Sequence, residues 1–318
     1  MVFWAGKQDM LRQGFIQHIW SLIYPWLVYE GVSILVTLIY LMFLLMRDPS
    51  FLASMKDMNA YVSKINQLVL TEYIWIAFFT CLLTIPLMLL FAYLDRQKEK
   101  RLGMRFECFE KAKPPVFVLC FICGIAVCVV FNHILMFSGL YELLSKNFEP
   151  VADLLYTGNF LLELLTVGVL TPIVEELIFR GLIYRRLRWS LDARWAAVLS
   201  AMLFAVFHGN LLQGIYAFGI GLLMAFVYER YHHILAPVLI HVGANLISVL
   251  LSEAEPLQFI YETDVAFWAV TVIMMGVFVL SFYWILVSRA PAKIEAKPAG
   301  TVMNTSIAEE EEDGERTV

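Results

Sequence analysis

Long runs of apolar residues, broken by short polar stretches, dominate the chain. A helix that crosses the lipid core of a membrane needs about 20 mostly apolar residues. By that criterion the sequence predicts eight membrane-spanning helices, the fifth of which is short and is expected to extend into its flanking loops. The eight runs cover residues 20–45, 70–94, 115–140, 159–184, 195–209, 211–229, 234–251 and 265–287.

Composition supports an all-α, polytopic transmembrane helix bundle. The chain is 60% hydrophobic and 16% charged, whereas a soluble domain is nearer half apolar and a quarter charged. The net charge of -5 gives no basis for a nucleic-acid partner, because the acidic residues concentrate in the last part of the chain. The five cysteines lie mostly in apolar runs and form no secreted-type disulfide framework. We interpret the CxxC of Cys120 and Cys123 as small packing residues.

The distribution of lysine and arginine along the chain predicts the orientation of the bundle in the membrane. They gather in "DRQKEKRLGMRFECFEKAKPP" after the second run, in "RRLRWSLDAR" after the fourth, and after the eighth. Alternating spans place all three segments on one side, which the positive-inside rule makes cytoplasmic. Both termini are then expected in the cytoplasm. The first nineteen residues carry no small-residue cleavage site, so no removable signal peptide is predicted.

Three of the predicted spans contain polar residues that are costly in lipid, at about 2.5–3.5 kcal/mol for a charge. Residues four apart share a helix face, whereas neighbours point about 100° apart. We therefore predict that Glu176 pairs with Arg180, which leaves Glu175 without a local partner. Pro172, one turn earlier, is expected to loosen the helix. The polar residues are Glu175, Glu176 and Arg180 in "TPIVEELIFRG", His208 in "LFAVFHGN", and His241 and Asn245 in "HVGAN".

These groups lie at compatible depths in their spans. At 1.5 Å per residue, Glu175, His208, His241 and Asn245 all lie about 10–20 Å from the ends of their helices. A sheltered carboxylate and imidazole can take a proton from water, and an imidazole with an amide can donate hydrogen bonds to an oxyanion. Together they are suited to hydrolysis of a carbonyl compound, most simply a peptide bond. The sequence contains no GxSG, GxGD or HExxH motif for another protease chemistry.

Several alternatives remain open from the residues alone. Glu176 and Arg180 could be a packing ion pair, and a histidine or asparagine within a span could only hold helices together. A zinc hydrolase would use Glu175, His208 and His241 as ligands. A transporter would use the same groups as a proton relay, and a non-catalytic immunity or scaffold protein would bind a peptide there.

Other intramembrane polar residues are interpreted as structural. Glu30 lies in the first span, and Asn132 and His133 lie in the third. Each is isolated from further polar groups at helical spacing, although Glu30 could line a vestibule.

The three motifs, EExxxR at 175–180, FxxxH at 204–208 and HxxxN at 241–245, closely resemble those of the CPBP family. This family, also called Abi after its bacteriocin self-immunity members, comprises bacterial and archaeal relatives of the Rce1-type CAAX prenyl endopeptidases. The resemblance covers about residues 155–252. It implies a glutamate intramembrane protease without cofactor, in which Glu175 and His208 activate water. His241 and Asn245 would stabilise the oxyanion, and Glu176 and Arg180 would support the site.

The resemblance divides the chain into four expected segments. Residues 1–154 hold N-terminal transmembrane helices and a cytoplasmic basic loop, and 155–252 form the catalytic core. Residues 253–289 hold the last transmembrane helix, and 290–318 form an acidic tail expected to be disordered. The expected protein is a multi-pass, bacterial-type enzyme of the cytoplasmic membrane. Its expected partners are membrane lipids and a membrane-embedded or membrane-adjacent peptide, and CAAX processing is not favoured.

Overall fold

The computed structural model describes residues 15–47, 57–101, 108–109, 113–144, 159–253, 257, 260, 263–290 and 293–294. The first fourteen residues and nearly all of the predicted acidic tail therefore lie outside the described residues. The long helices are α1 Phe15–Arg47, α2 Met58–Arg101, α3 Pro114–Phe137, α5 at 160–187, α6 Ala193–Phe207, α7 Leu211–Tyr231, α8 Leu235–Glu253 and α9 Asp264–Val287. A short helix, α4, covers Leu140–Leu144.

The all-α, polytopic prediction is confirmed. Among the residues that the structure describes, six helices (α1, α2, α3, α7, α8 and α9) are long and apolar enough to cross a membrane. The other two of the eight predicted spans are helical but are not among these six: the fourth corresponds to α5, whose geometry is interrupted, and the fifth to α6, which has only 15 residues. The helix α2 is longer than its predicted span, because the apolar criterion covers only the lipid core and misses its polar ends.

Side-chain caps begin several of these helices. The Asp192 carboxylate accepts from the main-chain N–H groups of Arg194 and Trp195 at the start of α6. Asn210 and Thr263 cap α7 and α9 in the same way. Such caps satisfy N–H groups that have no partner within the helix, so the turns between α6, α7 and their neighbours can be tight.

Buried ion pairs join α2 to the end of α5. Arg185 donates to both carboxylate oxygens of Glu99, at 2.9 and 2.5 Å, and Arg186 donates to Asp95 at 2.7 Å. The C-terminal ends of α2 and α5 therefore lie at the same end of the bundle, as alternating spans require. Two short strands, Cys108–Phe109 (β1) and Lys293–Ile294 (β2), pair antiparallel. That the end of the bundle formed by the C-terminal ends of α2 and α5 faces the cytoplasm stays a prediction.

The main chains of α3 and α8 approach each other through glycine. A Cβ added to Gly124 would lie 2.0 Å from the carbonyl oxygen of Ile240, and one added to Gly243 would lie 2.4 Å from that of Phe121. Small residues permit such close contact between membrane helices. Because Gly243 lies between His241 and Asn245, this contact sets the height and rotation of both side chains.

Replacing Gly243 with alanine should destabilise the fold. The added methyl group would collide with the main chain of α3, and overpacking of this kind costs about 1–3 kcal/mol. Thermal unfolding of the purified protein in detergent should show a lowered midpoint for Gly243→Ala. Gly276→Ala in α9 is the matched control, because no atom lies within 4 Å of its added Cβ. Equal midpoints for the two variants would contradict the close contact.

Candidate active site

Two π-helical segments, called the wide turns of α5 below, flank the acids Glu175 and Glu176. The helix is α-helical over Phe160–Leu165, Thr171–Glu176 and Arg185–Leu187, and π-helical over Thr166–Leu170 and Leu177–Tyr184. π-helical turns are rare and occur frequently at functional sites. Pro172 is the second residue after the first wide turn, which agrees with the prediction that it loosens this helix. The acids therefore lie on one regular turn between two irregular ones.

Glu176 and Arg180 form an ion pair that is completely buried. Arg180 Nη1 donates to Glu176 Oε1 at 2.6 Å, and both side chains are 0% exposed. Arg180 Nη2 donates to the carbonyl oxygen of Gly221 at 2.9 Å. The guanidinium also lies 4.8 Å from the centre of the Phe204 ring, at cation–π distance. The predicted i,i+4 pairing is confirmed, and α6 and α7 supply the other contacts of the guanidinium.

His241 lies between the two glutamates. Its Nδ1 is 3.0 Å from Glu176 Oε1, and its Nε2 is 3.5 Å from Glu175 Oε2. Glu176 is paired with a guanidinium, and an ionised carboxylate only accepts hydrogen bonds. His241 Nδ1 must therefore donate to Glu176, and Nε2 is the nitrogen directed at Glu175.

The prediction was that Glu175 has no local partner in α5, and the partner that the structure gives it lies on another helix, α8. Consecutive residues on a helix point about 100° apart, so Glu175 and Glu176 can each face a different nitrogen of a single ring. The sequence could not show this contact, because spacing within α5 says nothing about which residue of α8 packs against it.

His208 is connected to His241 through an aromatic ring. His208 Nδ1 is 2.8 Å from the Phe204 carbonyl oxygen, and a carbonyl can only accept, so Nε2 of the neutral ring carries the free electron pair. The Phe204 ring lies edge-on to both imidazoles, with centroids 4.7 Å from His208 and 5.5 Å from His241. Phe204 thus contacts both histidines and Arg180. The FxxxH spacing indicated only its contact with His208.

Asn245 connects α8 to the first wide turn of α5. Its Nδ2 donates to the carbonyl oxygen of Val167 at 2.9 Å. The predicted shared face with His241 is consistent with this position, since α8 is helical throughout Leu235–Glu253. Sequence reasoning missed Val167, because a main-chain acceptor leaves no signal in residue type. A side-chain amide has two N–H groups, so one remains for another acceptor.

The two acids differ in exposure. The Glu175 side chain is 27% exposed, whereas Glu176 is 0% and His241 is 7% exposed. Glu175 is therefore the carboxylate with an exposed surface. The arrangement combines an accessible carboxylate, an imidazole with a fixed tautomer and a second imidazole nearby, which suits proton transfer to and from bound water.

The zinc alternative does not fit the side-chain positions. Within the described part of the chain, no three histidine, cysteine, aspartate or glutamate side chains are placed to hold a metal ion. A catalytic zinc site needs three protein ligands that converge on one point. Glu175, His208 and His241 do not converge in this way.

The other polar residues have structural partners. His133 Nδ1 lies 2.6 Å from Thr271 Oγ1, and its ring stacks on Phe267. Asn132 donates to Cys128 Sγ at 3.5 Å. The contacts of His133 join α3 to α9, whereas the contact of Asn132 lies within α3, and both agree with the structural interpretation. Glu30 is half-buried in α1, and its role at a vestibule stays a prediction.

Residues 157–247 match the family described as "Type II CAAX prenyl endopeptidase Rce1-like". The matched segment contains all six predicted site residues. The chain is also similar to "Putative membrane peptidase YdiL" of Bacillus subtilis (strain 168), with 26% identity over 114 residues. That alignment covers 36% of this chain and 46% of the relative, so the chain spans less than half the length of the relative. No solved structure matches.

Replacing Arg180 with leucine should destabilise the protein strongly. The change leaves Glu176 charged and buried without its partner, at a cost of about 3–5 kcal/mol. Thermal unfolding in detergent should show a large fall for Arg180→Leu and partial recovery for the double variant Arg180→Leu with Glu176→Gln.

Arg188→Leu is the control for that experiment. The Arg188–Glu229 pair is 30% and 31% exposed, and exposed pairs contribute about 0–1 kcal/mol. If the double variant Arg180→Leu with Glu176→Gln were no more stable than Arg180→Leu alone, the unpaired buried charge of Glu176 would not be the cause of the lost stability.

Proposed function

We propose, taking the Rce1-like region at residues 157–247 as the premise, that this protein is an intramembrane endopeptidase. It would hydrolyse a peptide bond with water that Glu175 activates. The observation that carries the proposal is the position of His241, with one ring nitrogen on Glu176 and the other directed at Glu175. A packing ion pair alone would not need a second acid on the opposite side of the imidazole.

Glu175 and His208 would hold the attacking water. Glu175 is the accessible carboxylate, and His208 Nε2 keeps its electron pair because Nδ1 is committed to the Phe204 carbonyl. Water has two hydrogens and needs two acceptors. One acceptor takes a proton during attack, and the other orients the molecule.

His241 and Asn245 would stabilise the negative oxygen that develops on the substrate carbonyl. His241 Nε2 is directed at Glu175 because Glu176 holds Nδ1, and it donates when the ring is protonated. Asn245 has a second N–H besides the one on Val167. Fixed donors of this kind in a site of low dielectric constant lower the barrier to attack on a carbonyl.

The reaction balances without a covalent enzyme intermediate. The water oxygen attacks the carbonyl carbon while Glu175 takes one of its protons. The tetrahedral oxyanion then collapses and the carbon–nitrogen bond breaks. The proton on Glu175 passes to the leaving amine, which returns the carboxylate to its starting state.

The substrate would be a membrane-embedded or membrane-adjacent peptide segment. The site lies on helices of a multi-pass bundle, so a peptide reaches it from lipid or from the membrane surface. Membrane lipids are the other expected partners, and the proposed location is the cytoplasmic membrane of a bacterial-type cell.

Glu175→Gln should abolish cleavage. The amide keeps the size of the carboxylate but cannot accept the proton, and loss of a general base lowers the rate about 10²–10⁴-fold. The measurement is mass spectrometry of membrane peptides from cells that carry the native protein or the variant.

Glu142→Gln is the matched control, because Glu142 is exposed on α4 and remote in sequence from the site. Cells that carry Glu142→Gln should yield the same membrane peptides as cells that carry the native protein. Identical peptides from native and Glu175→Gln cells would overturn the proposal and favour a non-catalytic peptide-binding immunity or scaffold role. Proton-coupled flux in liposomes without cleavage would favour the transporter alternative.

Cleavage by the purified protein should survive a strong zinc chelator. In the proposed mechanism, water is activated by side chains of the chain itself. Loss of cleavage with the chelator, restored by added zinc, would instead support Glu175, His208 and His241 as ligands.

A further inference from the structure

Helix α6 is shorter than the lipid core of a membrane. Its 15 residues, Ala193–Phe207, extend about 22 Å at 1.5 Å per residue, whereas the lipid core is about 30 Å thick. One face of α6 is apolar and exposed along the length of the helix. Four residues at helical spacing form this face: Trp195, Leu199, Met202 and Val206, which are 61%, 38%, 50% and 70% exposed. In a bundle of membrane-spanning helices, such a face contacts lipid chains.

The helix α6 also ends well before its neighbour α8. The intervening helix α7 returns the chain, so α6 and α8 run in the same direction. The rings of Phe204 in α6 and His241 in α8 lie 5.5 Å apart, which places them at one level. Beyond that level α6 continues only to Phe207, whereas α8 continues to Glu253. The difference is nine residues, so α6 stops about 13 Å short of the end of α8.

The turn between α6 and α7 exposes irregular main chain at that depth. Gly209 is exposed and has a φ of 73°, and the Asn210 amide donates to the carbonyl oxygen of His208 at 3.3 Å. Irregular main chain does not occur against hydrocarbon, because its polar groups need partners from protein or water. The turn of His208, Gly209 and Asn210 is therefore compatible with water beside it and not with lipid chains.

We infer that α6 borders a locally thinned bilayer, in which the lipid chains beside it end at this turn. Bilayers accommodate a short apolar helix by thinning around it. The lipid chains on this side of the bundle would thus stop about 13 Å before the end of α8. A consequence for cleavage rests on the proposed function. Water at the turn would adjoin His208, and a substrate helix beside α6 would lose part of its lipid cover.

Spin labels can measure where the lipid beside α6 ends. The probes are nitroxides on Val206→Cys, next to the turn, and on Val272→Cys, which is 68% exposed on α9. Each protein is placed in phosphatidylcholine vesicles whose monounsaturated chains have about 14, 18 or 22 carbons, so that the bilayer thickness varies. Label depth is the ratio of access by oxygen, which dissolves in lipid, to access by a water-soluble nickel chelate. Native protein gives the background, because its four described cysteines are buried.

The label at Val206 should lie close to water, at the same depth in all three kinds of vesicle. The label at Val272 should favour oxygen, and more strongly as the lipid chains lengthen. A Val206 label that deepens with chain length as much as the Val272 label would overturn the inference. Low access by both reagents would also overturn it, because protein would then cover the turn. If Val206→Cys does not fold, Leu211→Cys serves instead, since Leu211 is 63% exposed at the start of α7.

Cleavage in the same vesicles tests the consequence separately. Native protein should cleave a single-span peptide at least about 3-fold faster in the thinnest bilayer than in the thickest, because the cost of mismatch grows with each ångström. Equal rates in all three would contradict a role of thinning in cleavage. Absence of cleavage in every vesicle would count against the proposed function, whereas the label depths would still decide whether the bilayer is thinned.

Discussion

The buried ion pair between Glu176 and Arg180 is the interaction on which the rest of the site depends. A charge inside a membrane protein is tolerated only where other groups compensate it. Here the guanidinium also contacts the Gly221 carbonyl and the Phe204 ring, and the carboxylate accepts from His241. These contacts tie α5 to α6, α7 and α8. The same pair therefore stabilises the bundle and fixes the ring that faces Glu175.

Contacts made to main-chain atoms give that site its rigidity. Gly243 places α8 directly against α3, and Asn245 binds the Val167 carbonyl in a wide turn of α5. A proton-transfer site needs such support, because small displacements of a donor or acceptor cost large factors in rate. The ion pairs of Arg185 and Arg186 with α2 hold the other end of α5.

The sequence predicted the helices and one contact of the site well, and the contacts between helices poorly. Apolar runs locate the eight long helices because lipid imposes a length on each span, and i,i+4 spacing gave the Glu176–Arg180 pair. The same spacing suggested that His241 and Asn245 share one face of their helix. In the structure His241 also faces both glutamates, since the rotation of α8 is set by Gly243 against α3. The wide turns of α5 left no pattern beyond Pro172.

The most direct test of this account is ¹⁵N nuclear magnetic resonance of the His241 ring, in protein labelled with ¹⁵N-histidine and compared with Glu176→Gln. The account predicts a proton on Nδ1 in the native protein, bound to Glu176, and a shift of that nitrogen resonance in the variant. A native ring with no proton on Nδ1, or a resonance that does not respond to Glu176→Gln, would contradict it.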